Sequence, residues 1–526
     1  MPQAPLTPAA TRGAPALTRD AAAILLVIVA AVLLRLTAFI PAVVDTDEGL
    51  YMVQAREWLS GGWPLVAAWD MHPVGAPALF ALAFLAFGVS VETARLLGTI
   101  CVAATGIALY CGARAVGAPR AVGIGAGVLY AAQSVLLSGL CTNTEILIAP
   151  FVAGAMAIGM RAAARAIGPD PVGPSFAEVV AMGLLIGPAL LVKQVVVPEG
   201  CFAFSLLVLP ALLRGLLPWR RLLGMAALYA ALCAGPFLLM GAVYWWQGWL
   251  AHYLDGSLLA PFRYSLERIP GPEAWRRVGA AALVLGFGFA AALVALLSWR
   301  RREIAQPLPL LTVFAALWLA VASAAIAGPG FYFSHYFLLW LPPLSVLAAI
   351  GAWRVARLAA RPGETDVSAR PGATRAIFAG LVAIIAAEAW LTEMRQRVEH
   401  GPGWLHRDPV REVAAVVAAA AGPGGDAFVA NYHPSVYVIS GARLSTRFPF
   451  PAHLTGVFED LSDTNTLAEL DRLLAARPRA IVVDRGWMHT MRPEAAARVQ
   501  AALDAGYDVF ATVAEQRGPV EIWRAR

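Results

Sequence analysis

The chain has 526 residues, of which 59% are hydrophobic and only 14% charged. Its mean hydropathy is +0.66, which excludes a soluble globular enzyme and reads as a polytopic membrane protein. The net charge of +6 comes from arginines scattered between apolar segments, a topological pattern and not a nucleic-acid footprint.

Residues 1–20 are rich in Pro, Ala and Thr and read as a disordered cytoplasmic tail before an uncleaved first span. That span covers 21–39, with Arg35 in its outer third. Further spans are expected at 95–111, 122–138, 146–160, 179–196, 201–213, 222–244, 278–297, 310–326, 337–353 and 377–391. The apolar stretch 76–87 is about a dozen residues long, which suits an interfacial or re-entrant helix. Arginine supports that choice. If 76–87 does not cross, the loops holding Arg114/Arg120, Arg161/Arg165, Arg214/Arg220/Arg221, Arg300–Arg302 and Arg354–Arg375 all lie inside. The expectation is an all-α membrane domain over 21–392, with about eleven spans plus interfacial helices and an external loop at 43–91.

Beyond residue 391 the composition changes. Asp408-Pro409 reads as a helix start, followed by strands at 427–431, 436–439, 480–484, 507–513 and 520–524 and a helix at 466–476. This predicts an α/β domain over 405–526, outside the membrane on the periplasmic side. Neither GxGxxG nor GxxxxGK[ST] occurs anywhere in the chain. Five cysteines, Cys101, Cys111, Cys141, Cys201 and Cys233, sit in or beside apolar segments and read as small core residues.

The polar residues expected outside include a dense group, DTDEGLYMVQAREWLSGGWPLVAAWDMHP, over 45–73. Residues 45–62 read as a helix, with Asp45 as N-cap, Glu48 completing a capping box, and Gly61-Gly62 ending it. Tyr51, Ala55, Trp58 and Leu59 then share a face that can lie on the membrane surface. Capping explains Asp45 and Glu48 but leaves Asp47 without a structural job. Asp45 and Asp47 form a DxD pair able to hold a divalent metal. Glu145, in CTNTEILIAP, is either a first-turn acid behind a Thr142, Asn143 or Thr144 cap, or a functional carboxylate.

Lys193 is the single lysine of the chain, in LLVKQ. A sequence that uses arginine for every other cationic position keeps a compact ammonium here, which suits a point charge on a phosphate better than a snorkelling anchor. His72 (MHPVG) and His335 (FYFSHYF) are interfacial histidines or ligands. Arg35 is either a binding residue or the partner of Asp45 or Asp47. Arg263 and Arg268, with Trp245, Trp246, Trp249 and Tyr253, suit a lipid headgroup or a surface anchor.

An apolar helix ending in RL, then DxDEGxY-x3-AREWL, HPxG and a short apolar helix resembles the GT-C glycosyltransferases, in the branch of protein O-mannosyltransferases and lipid A aminoarabinose transferases. TNTEILIAPF, LLVKQ, SHYFLLWLPPLSVLAA and a C-terminal external domain follow in the same order. The resemblance implies an inverting transfer of a sugar from a polyprenyl-phosphate donor to a lipid, glycan or protein acceptor outside the cytoplasmic membrane. It makes Asp47 the catalytic or acceptor-orienting carboxylate and Glu145 the second acid. His72 and Lys193 would hold acceptor or donor phosphate, with Glu48, Tyr51, His335, Arg35 and Arg263 as further substrate-binding candidates. The chain departs from the family where Glu145 replaces a frequent aspartate and HPVG a frequent KPPL-type turn. The competing classes are a lipid-linked sugar flippase, which the absence of an evident repeat disfavours, and a non-catalytic subunit.

Overall fold

The computed structural model describes residues 14–298, 308–360 and 370–526. Helix α1 (Ala14–Arg35) begins inside the stretch expected to be a disordered tail, whose first thirteen residues lie outside the described ones. After a tight turn at Leu36–Phe39 come α2 (Thr46–Leu59), α3 (Gly75–Phe87), α4 (Val91–Ala115), α5 (Arg120–Gln133), α6 (Thr144–Ile167), α7 (Phe176–Val192), α8 (Val197–Leu213) and α9 (Trp219–Trp246). Short helices α10 (Leu250–Leu254) and α11 (Ala260–Leu266) flank one π-helical turn at Asp255–Leu259. Then follow α12 (Gly271–Val284), α13 (Gly286–Leu297), α14 (Leu308–Ala327), α15 (Leu341–Ala359) and α16 (Pro371–His400).

Eight described helical stretches are long and apolar enough to cross a bilayer: α4, α6, α9, α14 and α16, together with α1, α8 and α15 counted with the tight turns that adjoin them, as Thr18–Phe39, Gln194–Leu213 and Ser334–Ala359. The pair α12–α13 bends by 84° and makes a ninth if counted as one crossing. The expected spans 122–138 and 179–196 exist as α5 and α7, but at 14 and 17 residues they fall short. The count of eleven is therefore reduced on length alone. In the first case the chain leaves helical geometry at Ser134, and Leu137 and Ser138 adopt φ of 56° and 63°. In the second, Lys193 is extended (φ −157°), ending α7 before α8 starts. Arg300–Arg302 and residues 361–369 of the next arginine-rich loop lie outside the described residues.

The C-terminal part holds α17 (Pro409–Ala421), β1 (Asp426–Val429), α18 (Ser435–Ser440), β2 (Arg443–Leu444), α19 (Thr466–Ala475), β3 (Ala480–Asp484), α20 (Pro493–Gly506), β4 (Tyr507–Glu515) and β5 (Gly518–Ala525). The sheet order is β2-β1-β3-β5-β4, with β1 parallel to β2 and β3, and β5 antiparallel to β3 and β4. The strand expected at 436–439 is helix α18 instead. A four-residue apolar run fits either state by pattern, and here Pro434 precedes the helix and left-handed Gly441 (φ 72°) stops it. Tyr437 turns inward, its hydroxyl accepting from Val429 N at 2.9 Å.

This sheet domain is not an appendage. Ala42, Val53 and Ala68 from the first inter-helix loop and α2 share one apolar core with Val413, Val429 and Tyr437. Trp69 N donates to Arg447 O at 2.6 Å, and Arg447 Nη2 returns a bond to Leu65 O at 2.6 Å. Gly49 explains the glycine of DEGxY: a Cβ there would lie 2.7 Å from Ser435 N, so α2 can press on the start of α18 only without a side chain. Gly75 of HPVG works alike, seating α3 against the end of α7, where a Cβ would meet the Leu191 backbone at 2.5 Å.

Candidate active site

Helix α2 starts at Asp45, whose carboxylate accepts from Asp47 N at 3.2 Å. The expected capping box does not form, because Glu48 turns the other way. It is buried, ion-paired to buried Arg95 of α4 at 2.8 Å, and accepts from Thr142 N at 2.7 Å. Arg35 is buried too, and pairs with neither Asp45 nor Asp47. Its guanidinium donates to Gly139 O at 2.6 Å, Leu140 O at 3.0 Å and Ser134 O at 3.3 Å. Two buried charges, Arg35 of α1 and Glu48 of α2, the latter balanced by Arg95, thus satisfy backbone groups of the irregular segment 134–142, which has no helix to bond within. That segment delivers Asn143 as the N-cap of α6 and Glu145 in its first turn.

Asp45 and Asp47 face His335 from the segment between α14 and α15. His335 Nδ1 lies 3.3 Å from Asp45 Oδ2, and Nε2 lies 3.7 Å from Asp47 Oδ2. The two acids titrate apart. Burial pushes Asp47 up, the Asp45 charge beside it adds to that, and it reaches about 6. Burial also pushes Asp45 up, but the hydrogen bond and charge of His335 outweigh it and hold Asp45 at about 2. Lys193 Nζ pairs with Glu145 Oε1 at 2.6 Å, donates to Thr144 Oγ1 at 3.1 Å, and sits 4.6 Å over the Tyr336 ring. Its charge reaches Asp47, and that of Glu145 reaches His335. Asp45, Asp47, Glu145, Lys193 and His335 therefore form one cluster.

His72 borders it through a 2.9 Å contact with buried Asp70, and it meets the edge of buried Tyr51 at 6.4 Å. Burial tends to raise Asp70, but the charge of His72 prevails and its carboxyl is held low. Tyr51 and Ala55 thus lie in the core and not on a membrane surface as expected. Arg263 points away: Nη2 pairs with Asp255 at 2.6 Å and Nε donates to Leu461 O at 2.7 Å, tying α11 to the sheet domain. Arg268, exposed, donates to Gly328 O at 3.3 Å.

A cavity of about 410 Å³ opens from the cluster between α7, α8, α11 and α14. His72, Lys193 and Tyr336 line its polar end, and Val197, Pro198, Leu258, Phe262 and Ala325 its apolar remainder. Tyr336 belongs to the site although the sequence did not single it out, Asp70 is one of the acids of the first polar segment, and Thr144, read only as a possible cap, bonds Lys193 instead. Nor did the sequence single out His433 of the sheet domain, whose Nδ1 lies 3.3 Å from Thr46 Oγ1 and whose burial lowers it to about 4. The available signals were adjacency (Tyr336 beside His335) and the repeated His-Pro of MHP and YHP.

Asp45, Asp47 and His335 each offer one ligand atom, all within 4.8 Å of one another, so two carboxylates and an imidazole fit a divalent ion.

The fold is that of the GT-C glycosyltransferases. ArnT from Cupriavidus metallidurans, in its structure bound to undecaprenyl phosphate, matches with a TM-score of 0.61 at 15% identity, over 95% of this chain and 97% of that one. The archaeal oligosaccharyltransferase AglB from Archaeoglobus fulgidus, in complex with an inhibitory peptide and a dolichol-phosphate, gives 0.53 at 13% identity over 97% and 74%. The mycobacterial arabinofuranosyltransferase AftD gives 0.51 at 16% identity over 97% and 40%. No protein-family profile and no curated protein sequence matches the chain.

Proposed function

We propose that the chain is an inverting glycosyltransferase that takes a sugar from a polyprenyl-phosphate donor and gives it to a lipid, glycan or protein acceptor. On this reading the reaction runs at the outer face of the cytoplasmic membrane. The observation that carries this reading is the junction of a largely apolar cavity of about 410 Å³ with a single ammonium, Lys193, beside a carboxylate pushed up to about 6. A polyprenyl chain suits the apolar walls and its phosphate suits Lys193 and His72. Glu145 and Thr144 hold the ammonium in place from behind. The acceptor group attacks the anomeric carbon from the face opposite the phosphate and the carbon–oxygen bond to phosphate breaks. Asp47 takes the acceptor proton, a task for which a carboxyl near neutrality is suited. The electron pair leaves on the phosphate, whose charge Lys193 stabilises. A divalent ion, if held by Asp45, Asp47 and His335, would supply positive charge where His335 now supplies it. ArnT and AglB, with their bound polyprenyl phosphates, support the donor class.

The test is the purified protein with a radiolabelled polyprenyl-phosphate sugar and a panel of acceptors. Label transferred covalently, and lost in Asp47→Asn, is the expected result. Label that only crosses the bilayer of a vesicle, or stays on its carrier with every acceptor, overturns the reading.

A further inference from the structure

At the membrane face opposite the acid cluster, α1 and α16 each pack on α5, and a groove of about 1130 Å³ runs between them. Its rim carries Arg19, Arg114, Arg120, Arg357 and Arg375. Among the described residues, Asp20 is the carboxylate bonded at this rim, 2.7 Å from Arg120 Nε and 3.9 Å from Arg114 Nε. Arg19, Arg357 and Arg375 make no ion pair among the described residues. Among the described residues the rim thus carries five guanidiniums, of which two share its one carboxylate. Below the rim the walls turn apolar, with Leu26, Val128, Phe378 and Val382. From Arg19 to Ala30 along α1 the lining descends about 16 Å at 1.5 Å per residue. Gly125 lets Phe378 close the groove floor, because a Cβ there would lie 2.6 Å from the Phe378 ring.

A positive-inside bias alone calls for arginines at this face but not for their convergence on one slot with an apolar floor. A free anion needs no apolar wall, and a zwitterionic lipid brings its own cation against the rim. Charge and shape together fit a phospholipid with a net negative headgroup, its phosphate in the guanidinium fork and an acyl chain between the helices. We propose that this groove binds an anionic phospholipid of the leaflet opposite the active site, bracing α16, which leads into the sheet domain.

The test is native mass spectrometry of the full-length protein, purified in mild detergent with equal phosphatidylglycerol and phosphatidylcholine of identical acyl chains. The wild type should retain phosphatidylglycerol preferentially. Arg357→Gln/Arg375→Gln, which removes no partner from a buried acid, should cut that preference about tenfold or more. Arg214→Gln/Arg220→Gln, the same charge change at the same face outside the groove, should keep it. Equal retention of the two lipids by the wild type overturns the proposal, as does an unchanged preference in Arg357→Gln/Arg375→Gln. Equal losses in both double variants also overturn it, assigning the preference to surface charge at large.

Discussion

Asp45 and Asp47 stand two residues apart and differ in what their charges cost. Asp47 sits above an unfolded-state carboxyl near 3.9, at about 6, so its ionisation destabilises the native state increasingly as pH rises from about 4 through 6. Asp45, held at about 2, contributes stability above its unfolded value that is lost as pH falls from about 4 through 2. Asp47→Asn should therefore abolish transfer yet raise the melting temperature at pH 7 by about 2–4 °C. Asp45→Asn should lower the melting temperature and cost less activity, since asparagine still caps a helix. Wild-type transfer should climb with pH up to about 6 and level off above it. A rate that falls over that range would remove Asp47 as the base.

Lys193 is caged by Glu145, Thr144 and the Tyr336 ring, a space shaped to an ammonium. Lys193→Arg should insert and fold but lose about 2–4 kcal/mol of barrier lowering, roughly 30- to 1000-fold in transfer rate. Full activity in Lys193→Arg would return the residue to a scaffold role. The lysine was legible because composition isolates it. Its cage was not, because Tyr336 and Glu145 come from helices far along the chain.

Among the elements, segment 134–142 matters most for the site and was the least readable. Its apolar residues continue the pattern of α5, so hydropathy extends a span through them. The chain instead breaks because Arg35 and Glu48 offer its backbone better partners than lipid would. Glu48 was misread for a related reason: three residues after an N-cap is the spacing of a capping box, and spacing cannot reveal a buried arginine on α4. Glu48→Gln should leave Arg95 buried without a counter-charge and cost about 3–5 kcal/mol, read as loss of monodisperse protein in detergent. Adding Arg95→Met should recover most of it. A single variant as stable as wild type would show that the pair does not hold the segment.

The molecule as a whole places the carboxylate-rich first loop and the sheet domain together, and sets Arg19, Arg114, Arg120, Arg357 and Arg375 around the groove at the far face. That sorting was readable from the order of polar segments and the arginine bias. Reporter fusions at Gly372 and Gly422 should give opposite sidedness, and equal signals would remove the argument that the acids face outward. The docking of the sheet domain onto the first loop was not readable, since the contacts of Ala42 with Asp408 and Thr46 with His433 join residues 366 and 387 positions apart.

Those separations order events at the ribosome. The acids of the first loop emerge long before the sheet domain that packs on that loop has been synthesised. Long-range closures of this kind come late in folding. A growing chain thus holds its first loop without a packing partner, and a frameshift or stop codon in the last hundred residues removes contacts made by residues of the first fifty. Quality-control proteases that sample an undocked sheet domain would in the same act be screening for an uncovered first loop.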